Sequence, residues 1–177
     1  MKGHVKLGNQ FEGKRILVSG ASGFIPSHLC EFLLSKGCEV WGIDNFVTGY
    51  QDNLTEAKKN YQNKFHFIQD DITDPRVFHD LPRGFAAVLN LASPASPVDF
   101  KRIPLEILHT GSLGTENMLK VAKKDGARFL QASTSEVYGD PLVHPQTEDY
   151  LGNVNSYGPR SCYDESKRFG EATAARL

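Results

Sequence analysis

The sequence predicts an α/β protein with a doubly wound parallel sheet, and three observations support this. Short apolar runs alternate with amphipathic stretches, as in β-α units rather than in a sandwich or a helical bundle. A glycine-rich turn follows the first apolar run, and an aspartate ends the second. The length of 177 residues suits one domain with a substantial core.

The first strand is predicted at residues 15–19 and is followed by a helix over residues 23–35. Gly37 ends this helix, and a second strand at residues 38–43 leads to Asp44. The helix carries an apolar stripe that we expect to face the core. Its members are Phe24, Ile25, Leu29, Phe32 and Leu33.

The third and fourth strands are predicted at residues 65–68 and 86–91, with only a short helix between them at residues 75–79. Both strands are compact apolar runs, which are typical of a parallel sheet covered on both faces.

A long helix is predicted over residues 103–124, and Gly126 provides its stop signal. A fifth strand at residues 128–133 and a last helix at residues 161–176 complete the pattern. The expected inward positions of the long helix are Leu105, Leu108, Leu113, Met118, Leu119 and Val121.

Composition excludes several classes of function. The chain has 20 Lys and Arg against 21 Asp and Glu and no basic block, so we expect no nucleic-acid partner. No apolar run approaches the length of a membrane span, and no export signal is evident, so we expect a cytoplasmic protein. Cys30, Cys38 and Cys162 form no C-x-x-C pair, which suits a reducing compartment, and the histidines lack ligand spacing, so no metal is expected.

The glycine pattern between the first strand and the first helix predicts a dinucleotide site. Gly20 and Gly23, followed by Phe24 and Ile25, would offer backbone N–H groups and a helix N-terminus to a pyrophosphate. Asp44 could accept hydrogen bonds from a ribose diol, which favours NAD over its 2′-phosphorylated relative. Without the glycine loop, such an aspartate would as often cap a turn.

Two further pairs of residues suggest acid–base chemistry. Tyr163 and Lys167 are four apart on the last helix, so the ammonium can favour the ionised phenol and make Tyr163 a base near neutral pH. A lone pair of this kind is more often a solvated helix face. Thr134 and Glu136 follow the predicted fifth strand and are two residues apart, so in an extended chain they would share one face.

Taken together, these motifs resemble the extended short-chain dehydrogenase/reductase superfamily, which has a Rossmann-type fold. The residues concerned are Gly20-x-x-Gly23-Phe24-Ile25, Asp44-Asn45-Phe46-x-Thr48-Gly49, the run S-T-S-E-V-Y-G-D-P at 133–141, and Tyr163-x-x-x-Lys167. More narrowly, the run L-A-S-P-A-S-P at 91–97 and residues 152–165 are similar to UDP-glucuronate decarboxylases.

The resemblance implies an NAD-binding Rossmann domain at residues 14–177, after an N-terminal extension at residues 1–13. A complete enzyme of this fold continues beyond the last predicted helix, so we expect a truncated C-terminal substrate region. In relatives that region supplies most uridine contacts and an arginine for the sugar carboxylate. A homodimer is implied, formed through the helix that starts near Ile103 and the helix that bears Tyr163.

The implied activity is NAD-dependent decarboxylation of UDP-glucuronate to UDP-xylose through a 4-keto intermediate. Tyr163 would take the proton of the sugar 4-hydroxyl, supported by Lys167, while Thr134 would bind the same oxygen. Glu136 would transfer a proton during decarboxylation or reprotonation.

The resemblance also implies binding residues. Those for the cofactor are Gly20, Gly23, Phe24, Ile25, Asp44, Asn45, Asp71, Ile72, Leu91, Ala92, Ser93, Tyr163 and Lys167. Those for the substrate are Ser96, Ser135, Glu136 and Arg160. Asp70 and Asp71 could equally form a solvated turn.

Three positions differ from related patterns. Pro26 replaces the third glycine of the nucleotide fingerprint, and we expect weakened but not abolished NAD binding. Gly111 stands where relatives commonly place an asparagine that helps align the active site. Ser135 stands where sugar-nucleotide 4,6-dehydratases carry an acidic aspartate, which favours decarboxylation over dehydration. The alternatives are an epimerase, a 4,6-dehydratase or an inactive NAD-binding module.

Overall fold

A computed structural model describes residues 11–176 and contains a five-stranded sheet in the order β3-β2-β1-β4-β5. Every neighbouring pair of strands is parallel, so the prediction of a doubly wound sheet is confirmed. The strands are β1 Arg15–Ser19, β2 Glu39–Asp44, β3 Phe65–Gln69, β4 Phe85–Asn90 and β5 Arg128–Gln131. Because the strand order reverses at β1, a crevice opens beyond the carboxyl ends of β1 and β4.

Residues 11–176 contain six α-helices, of which the first five lie between strands and the last follows β5. They are α1 Phe24–Ser35, α2 Thr55–Asn60, α3 Pro97–Arg102, α4 Pro104–His109, α5 Thr115–Asp125 and α6 Ser161–Ala174. Side chains alternate across β1, so Ile16 and Val18 pack with α1 on one face, whereas Leu17 packs with Met118 of α5 on the other. Most of the predicted N-terminal extension, residues 1–10, lies outside the described residues. Phe11, which also belongs to it, packs against the core cluster that contains Ile16 and Val18.

The predicted core face of α1 was wrong at its first turn and at Phe32, which is 41% exposed. Phe24 and Ile25 are 75% and 68% exposed, because this turn projects beyond the edge of the sheet, where the described residues do not cover it. Burial instead follows Pro26, Cys30 and Leu33, at the spacing expected of one helix face.

The predicted long helix is interrupted. The segment Thr110–Gly114 forms a π-helical turn between α4 and α5, and this wider turn changes the phase of the helix. Leu105 and Leu113, predicted to face inward, are therefore 62% and 48% exposed, whereas Met118 is fully buried as predicted.

Two glycines account for the close packing of the π turn. A Cβ on Gly111 would lie 2.4 Å from Cβ of Ser166 in α6, and a Cβ on Gly114 would lie 2.6 Å from Cδ1 of Ile72. The space that a side chain at position 111 would need is therefore filled by Ser166.

Smaller differences concern loops. The helix α2 and the 3₁₀ turn Gln51–Leu54 were not predicted, and β5 ends at Gln131, earlier than expected. Within residues 11–176, no helix combines the length and the apolar character needed to cross a bilayer. In the same part of the chain, no three His, Cys, Asp or Glu side chains converge as a metal site would require.

Candidate functional site

A cavity of about 500 Å³ lies at the carboxyl ends of the strands, between the glycine-rich turn, the end of β2 and helix α6. Every residue that the sequence assigned to the cofactor lines this cavity. They are Gly20, Gly23, Phe24, Ile25, Asp44, Asn45, Asp71, Ile72, Leu91, Ala92, Ser93, Tyr163 and Lys167. Its volume is in the range of about 300 to 1,000 Å³ that is usual for ligand sites.

The glycine-rich turn requires its glycines for two physical reasons. Gly20 has φ of +70°, a left-handed conformation that L side chains rarely adopt, and an added Cβ would lie 2.9 Å from Cα of Ala92. At Gly23, an added Cβ would lie 3.2 Å from the Gly20 carbonyl oxygen. The backbone therefore closes tightly over the crevice between β1 and β4.

Helix α1 begins at this turn with two unused backbone donors. Phe24 and Ile25 occupy the first turn, where N–H groups have no carbonyl partner within a helix. Pro26, the next residue, has no N–H, is buried, and places Cδ 3.3 Å from the position of a Cβ on Gly23. The proline ring thus packs against the inner side of the loop.

Asp44 ties the glycine-rich turn to the end of β2. Its Oδ2 accepts a hydrogen bond from the Ser22 N–H at 2.9 Å, and its Oδ1 accepts one from the Phe46 N–H at 2.8 Å. A carboxylate has about four acceptor positions, so two remain for hydroxyl groups of a ligand.

The far end of the cavity is bounded by Asp71 and Ile72, after β3. Asp71 is half-buried, and its carboxylate accepts hydrogen bonds from Asn45 Nδ2 and the Thr73 N–H, both at 2.8 Å. Asp70 is exposed and accepts from the Asp71 N–H. The two aspartates therefore form a hydrogen-bonded turn, and both line the cavity.

A buried polar network supports the opposite wall, and the sequence did not reveal it. Ser19 Oγ donates to Asn90 Oδ1 at 2.6 Å and accepts from the N–H groups of residues 91–92 at 3.1 and 3.2 Å. The Asn90 amide donates to Thr115 Oγ1 and Gln131 Oε1. A buried network whose members are all bonded is rigid, and it fixes the backbone that Gly20 contacts. The only signal in the sequence was an asparagine at the end of an apolar strand.

Tyr163 and Lys167 bring a phenol and an amine to the cavity from α6. They are 8% and 5% exposed, with Lys167 Nζ 5.6 Å from the centre of the Tyr163 ring. The ammonium donates to the Ala132 carbonyl at 2.9 Å.

The acid–base properties of the pair differ from the expectation. Burial raises the pKa of Tyr163, and the carboxylates of Glu136 and Asp164 raise it further, while the Thr134 hydroxyl lowers it. Burial lowers the pKa of Lys167 to about 8. The expected lowering of the pKa of Tyr163 was wrong for the protein without ligands. Burial and the carboxylates of Glu136 and Asp164 raise this pKa by more than the Thr134 hydroxyl lowers it.

The predicted substrate residues lie outside the cavity lining. Ser135 and Glu136 belong to the 3₁₀ turn Ser135–Tyr138, not to a strand, so the expected strand spacing of Thr134 and Glu136 was wrong. Thr134 instead caps this turn, its hydroxyl accepting from the Glu136 N–H at 3.3 Å. Ser96 is exposed before α3, and Arg160 pairs with Glu136 at 3.4 Å.

Several further residues at the site were not predicted, and four of them lie on α3, α4 and the π turn. Phe100 of α3 stacks on the Tyr163 ring with centroids 5.0 Å apart and fixes one face of it. Glu106, His109 and Thr110 line the cavity from α4 and the π turn. The phase change at this turn explains why an uninterrupted helical pattern did not identify them.

A doubly wound sheet, a glycine-rich turn at its switch point and a buried Tyr-Lys pair define a nucleotide-binding domain of the extended short-chain dehydrogenase/reductase class. A family model described as GDP-mannose 4,6 dehydratase matches residues 17–176, and the chain belongs to this family.

The resemblance to UDP-glucuronate decarboxylases is also confirmed. The chain is 47% identical over 172 residues to UDP-glucuronic acid decarboxylase 1 of Arabidopsis thaliana, covering 97% of this chain and 38% of that protein. It is 47% identical over 167 residues to UDP-glucuronic acid decarboxylase 1 of Danio rerio, covering 94% and 38%. The chain therefore spans less than half the length of these relatives.

Among solved structures, the chain is similar to DesIV, a dTDP-glucose 4,6-dehydratase from Streptomyces venezuelae with NAD bound. The TM-score is 0.78 at 28% identity, covering 92% of this chain and 50% of that one. WbmG of Bordetella bronchiseptica in complex with NAD and UDP gives a TM-score of 0.75 at 29% identity, covering 93% and 50%.

Proposed function

We propose that the protein is an NAD-dependent decarboxylase that converts UDP-glucuronate to UDP-xylose, and that this chain supplies the cofactor site and the acid–base groups. One observation carries the proposal: the cavity joins a dinucleotide-type glycine turn to Tyr163 and Lys167. The similarity to UDP-glucuronic acid decarboxylases selects the substrate.

The residues present fit NAD. The close approach of Gly20 to Ala92 leaves no side chain between the backbone and a bound pyrophosphate. The open N–H groups of Phe24 and Ile25 suit its charge, as does the positive end of the α1 dipole. Asp44 retains acceptor positions for a ribose diol, and its negative charge disfavours a 2′-phosphate.

Bound NAD⁺ would supply reversible hydride transfer at C4 of the sugar. In our proposal Tyr163 acts as a phenolate, which the cationic nicotinamide ring of bound NAD⁺ would favour. It accepts the proton of the 4-hydroxyl as C4 is oxidised, and Thr134 holds the same oxygen. Lys167, fixed by the Ala132 carbonyl, keeps a positive charge beside the phenol. Phe100 restricts the orientation of the ring.

Oxidation at C4 makes a ketone β to the carboxylate on C5. The bond from C5 to the carboxylate carbon then breaks, carbon dioxide leaves, and the electron pair passes to the C4 oxygen as an enolate. Glu136 delivers a proton to C5, and Tyr163 returns its proton to the C4 oxygen as the hydride comes back. Solvent then reprotonates Glu136, so one solvent proton is consumed and protons and electrons balance over the cycle, with UDP-xylose and carbon dioxide as products.

Ser135 favours decarboxylation over the related dehydration. Loss of a hydroxyl group needs an acid to protonate it, and a serine hydroxyl is a poor acid. Ser135 begins a 3₁₀ turn and is exposed, so its surroundings do not strengthen it as an acid.

We also propose a homodimer formed through α4, the π turn and α6. Leu105 and Leu113, 62% and 48% exposed, provide apolar side chains on this surface. The free, buried Cys30, Cys38 and Cys162 suit a reducing compartment, for which we propose the cytoplasm.

The function is tested by incubating the protein with NAD⁺ and, separately, UDP-glucuronate or UDP-glucose, followed by analysis of the nucleotide sugars. We expect UDP-xylose from UDP-glucuronate and no product from UDP-glucose. UDP-galactose from UDP-glucose would instead identify an epimerase, and a 4-keto-6-deoxy sugar a dehydratase. NAD binding without turnover of either substrate would identify an inactive binding module.

A further inference from the structure

The proposed proton-transfer groups stand on two elements that are distant in sequence. Glu136 is on the 3₁₀ turn Ser135–Tyr138, whereas Tyr163 is on α6. A surface segment of turns and irregular chain, residues 139–160, separates them. Their relative position therefore depends on contacts between the turn and the helix.

Arg160, at the start of α6, makes such a contact. Its Nη1 lies 3.4 Å from Glu136 Oε2, and its Nη2 donates to Asp140 Oδ1 at 2.8 Å. The guanidinium therefore bridges the carboxylate of Glu136 and a second carboxylate that follows the same turn. A planar group with several N–H donors suits this geometry, which a point charge does not reproduce.

The main chain of Arg160 is hydrogen-bonded to the first turn of α6. Its carbonyl accepts hydrogen bonds from the Tyr163 N–H at 2.9 Å and from the Asp164 N–H at 3.1 Å. The same residue thus joins the first turn of the helix carrying Tyr163 to the side chain of Glu136.

The charges around Arg160 favour the bridge. Asp164 is 3% exposed, and its Oδ1 has no hydrogen-bond partner among residues 11–176. Arg160 therefore faces three carboxylates, and its hydrogen bond to Asp140 raises the pKa of its guanidinium, as does the charge of Glu136. Without Arg160, the carboxylates of Glu136 and Asp140 would lose the cation that they share, and with it the contact that joins them.

We propose that Arg160 is a positioning residue that holds the Glu136 carboxylate in place relative to Tyr163 by bridging it to Asp140. This rests on the proposed function of Glu136 in proton transfer. It differs from the assignment made from the sequence, in which Arg160 binds the substrate, because its guanidinium is already bonded to two carboxylates of the chain.

The test compares Arg160→Gln with Glu136→Gln and with the double variant. For Arg160→Gln, we expect kcat for carbon dioxide release to fall by roughly tenfold to a hundredfold, since small displacements of reacting groups cost rates of this order. KM for UDP-glucuronate and the dissociation constant for NAD should change less than about twofold. The double variant should be little slower than Glu136→Gln, because Arg160 acts through Glu136.

Two further variants separate positioning from stability. Arg160→Lys should recover part of kcat, because it keeps a charge between the carboxylates. Arg168→Gln is a matched control, since Arg168 also joins α6 to the turn, donating to the Val137 carbonyl at 2.9 Å without contacting Glu136. It should leave kcat within about twofold of the wild type.

Two results would overturn the assignment. A rise in KM, with additive effects of Arg160→Gln and Glu136→Gln, would place Arg160 on the substrate. Equal losses of kcat in Arg160→Gln and Arg168→Gln would show that the loss does not depend on contact with Glu136. If the wild type releases no carbon dioxide, the proposed function fails on its own. The bridge between Arg160 and Asp140 is then tested by urea unfolding of Arg160→Gln, Asp140→Asn and their double variant. Sub-additive shifts of the midpoint support it, and strictly additive shifts overturn it.

Discussion

Lys167 is a buried amine whose charge should make the stability of the protein depend on pH. It is 5% exposed, and burial lowers its pKa from 10.5 to about 8. Since one pKa unit is worth about 1.4 kcal/mol, the charged form costs the folded state about 3 kcal/mol. The perturbation that removes this cost is Lys167→Met.

The sign of the effect follows from the two pKa values. Below pH 8 the ammonium is present in both the folded and the unfolded chain, so the full cost applies. Between about pH 8 and pH 10.5 the unfolded chain binds more protons, so the free energy of unfolding of the wild type rises with pH. Above this window both states carry the neutral amine, and the cost is absent.

The assay is urea unfolding of the wild type and Lys167→Met at pH 7, 8, 9 and 10. Relative to the variant, the wild type should gain about 2 kcal/mol between pH 7 and pH 10. Lys120→Met is the control, since the Lys120 side chain is 68% exposed and its loss should give no such trend. If the difference in free energy of unfolding between the wild type and Lys167→Met is as independent of pH as that for Lys120→Met, the buried ammonium does not carry this cost.

Three other substitutions test the site. Tyr163→Phe should keep NAD binding in a titration but abolish carbon dioxide release. The control Tyr157→Phe, at a residue 90% exposed, should keep both. Unchanged turnover in Tyr163→Phe would remove this tyrosine from the mechanism. Pro26→Gly should tighten NAD binding in calorimetry by roughly tenfold, because the ring packs against the glycine turn, and more than about a hundredfold would show that Pro26 all but blocks the site. Gly111→Asn should lower the free energy of unfolding by about 1 to 3 kcal/mol, and Ser166→Gly in the same chain should recover most of this loss; no recovery would contradict the shared space of the two positions.

The strands and the glycine turn could be predicted because their signals are local. The apolar runs of β1 and β4, and the glycines and aspartate at strand ends, depend on neighbours in sequence. The residues that line the cavity for the cofactor could be predicted as well, because parallel strands bring their carboxyl ends to one edge of the sheet.

The remaining features depend on contacts between distant segments. Gly111 fits against Ser166 only in the folded chain, so the π turn and the exposure of Leu105 and Leu113 could not be read from helical periodicity. Likewise, the pKa of Tyr163 depends on burial and on carboxylates from other turns, which spacing along one helix does not reveal.

The most direct test of the account is the reaction of UDP-glucuronate, labelled with ¹³C in the carboxylate, with NAD⁺ and the protein in D₂O. We expect labelled carbon dioxide in amounts equal to UDP-xylose, with one solvent deuterium at C5 and none at C4, because the hydride leaves and returns at C4. UDP-galacturonate without carbon dioxide, solvent deuterium at C4, or no product despite bound NAD would each contradict the account.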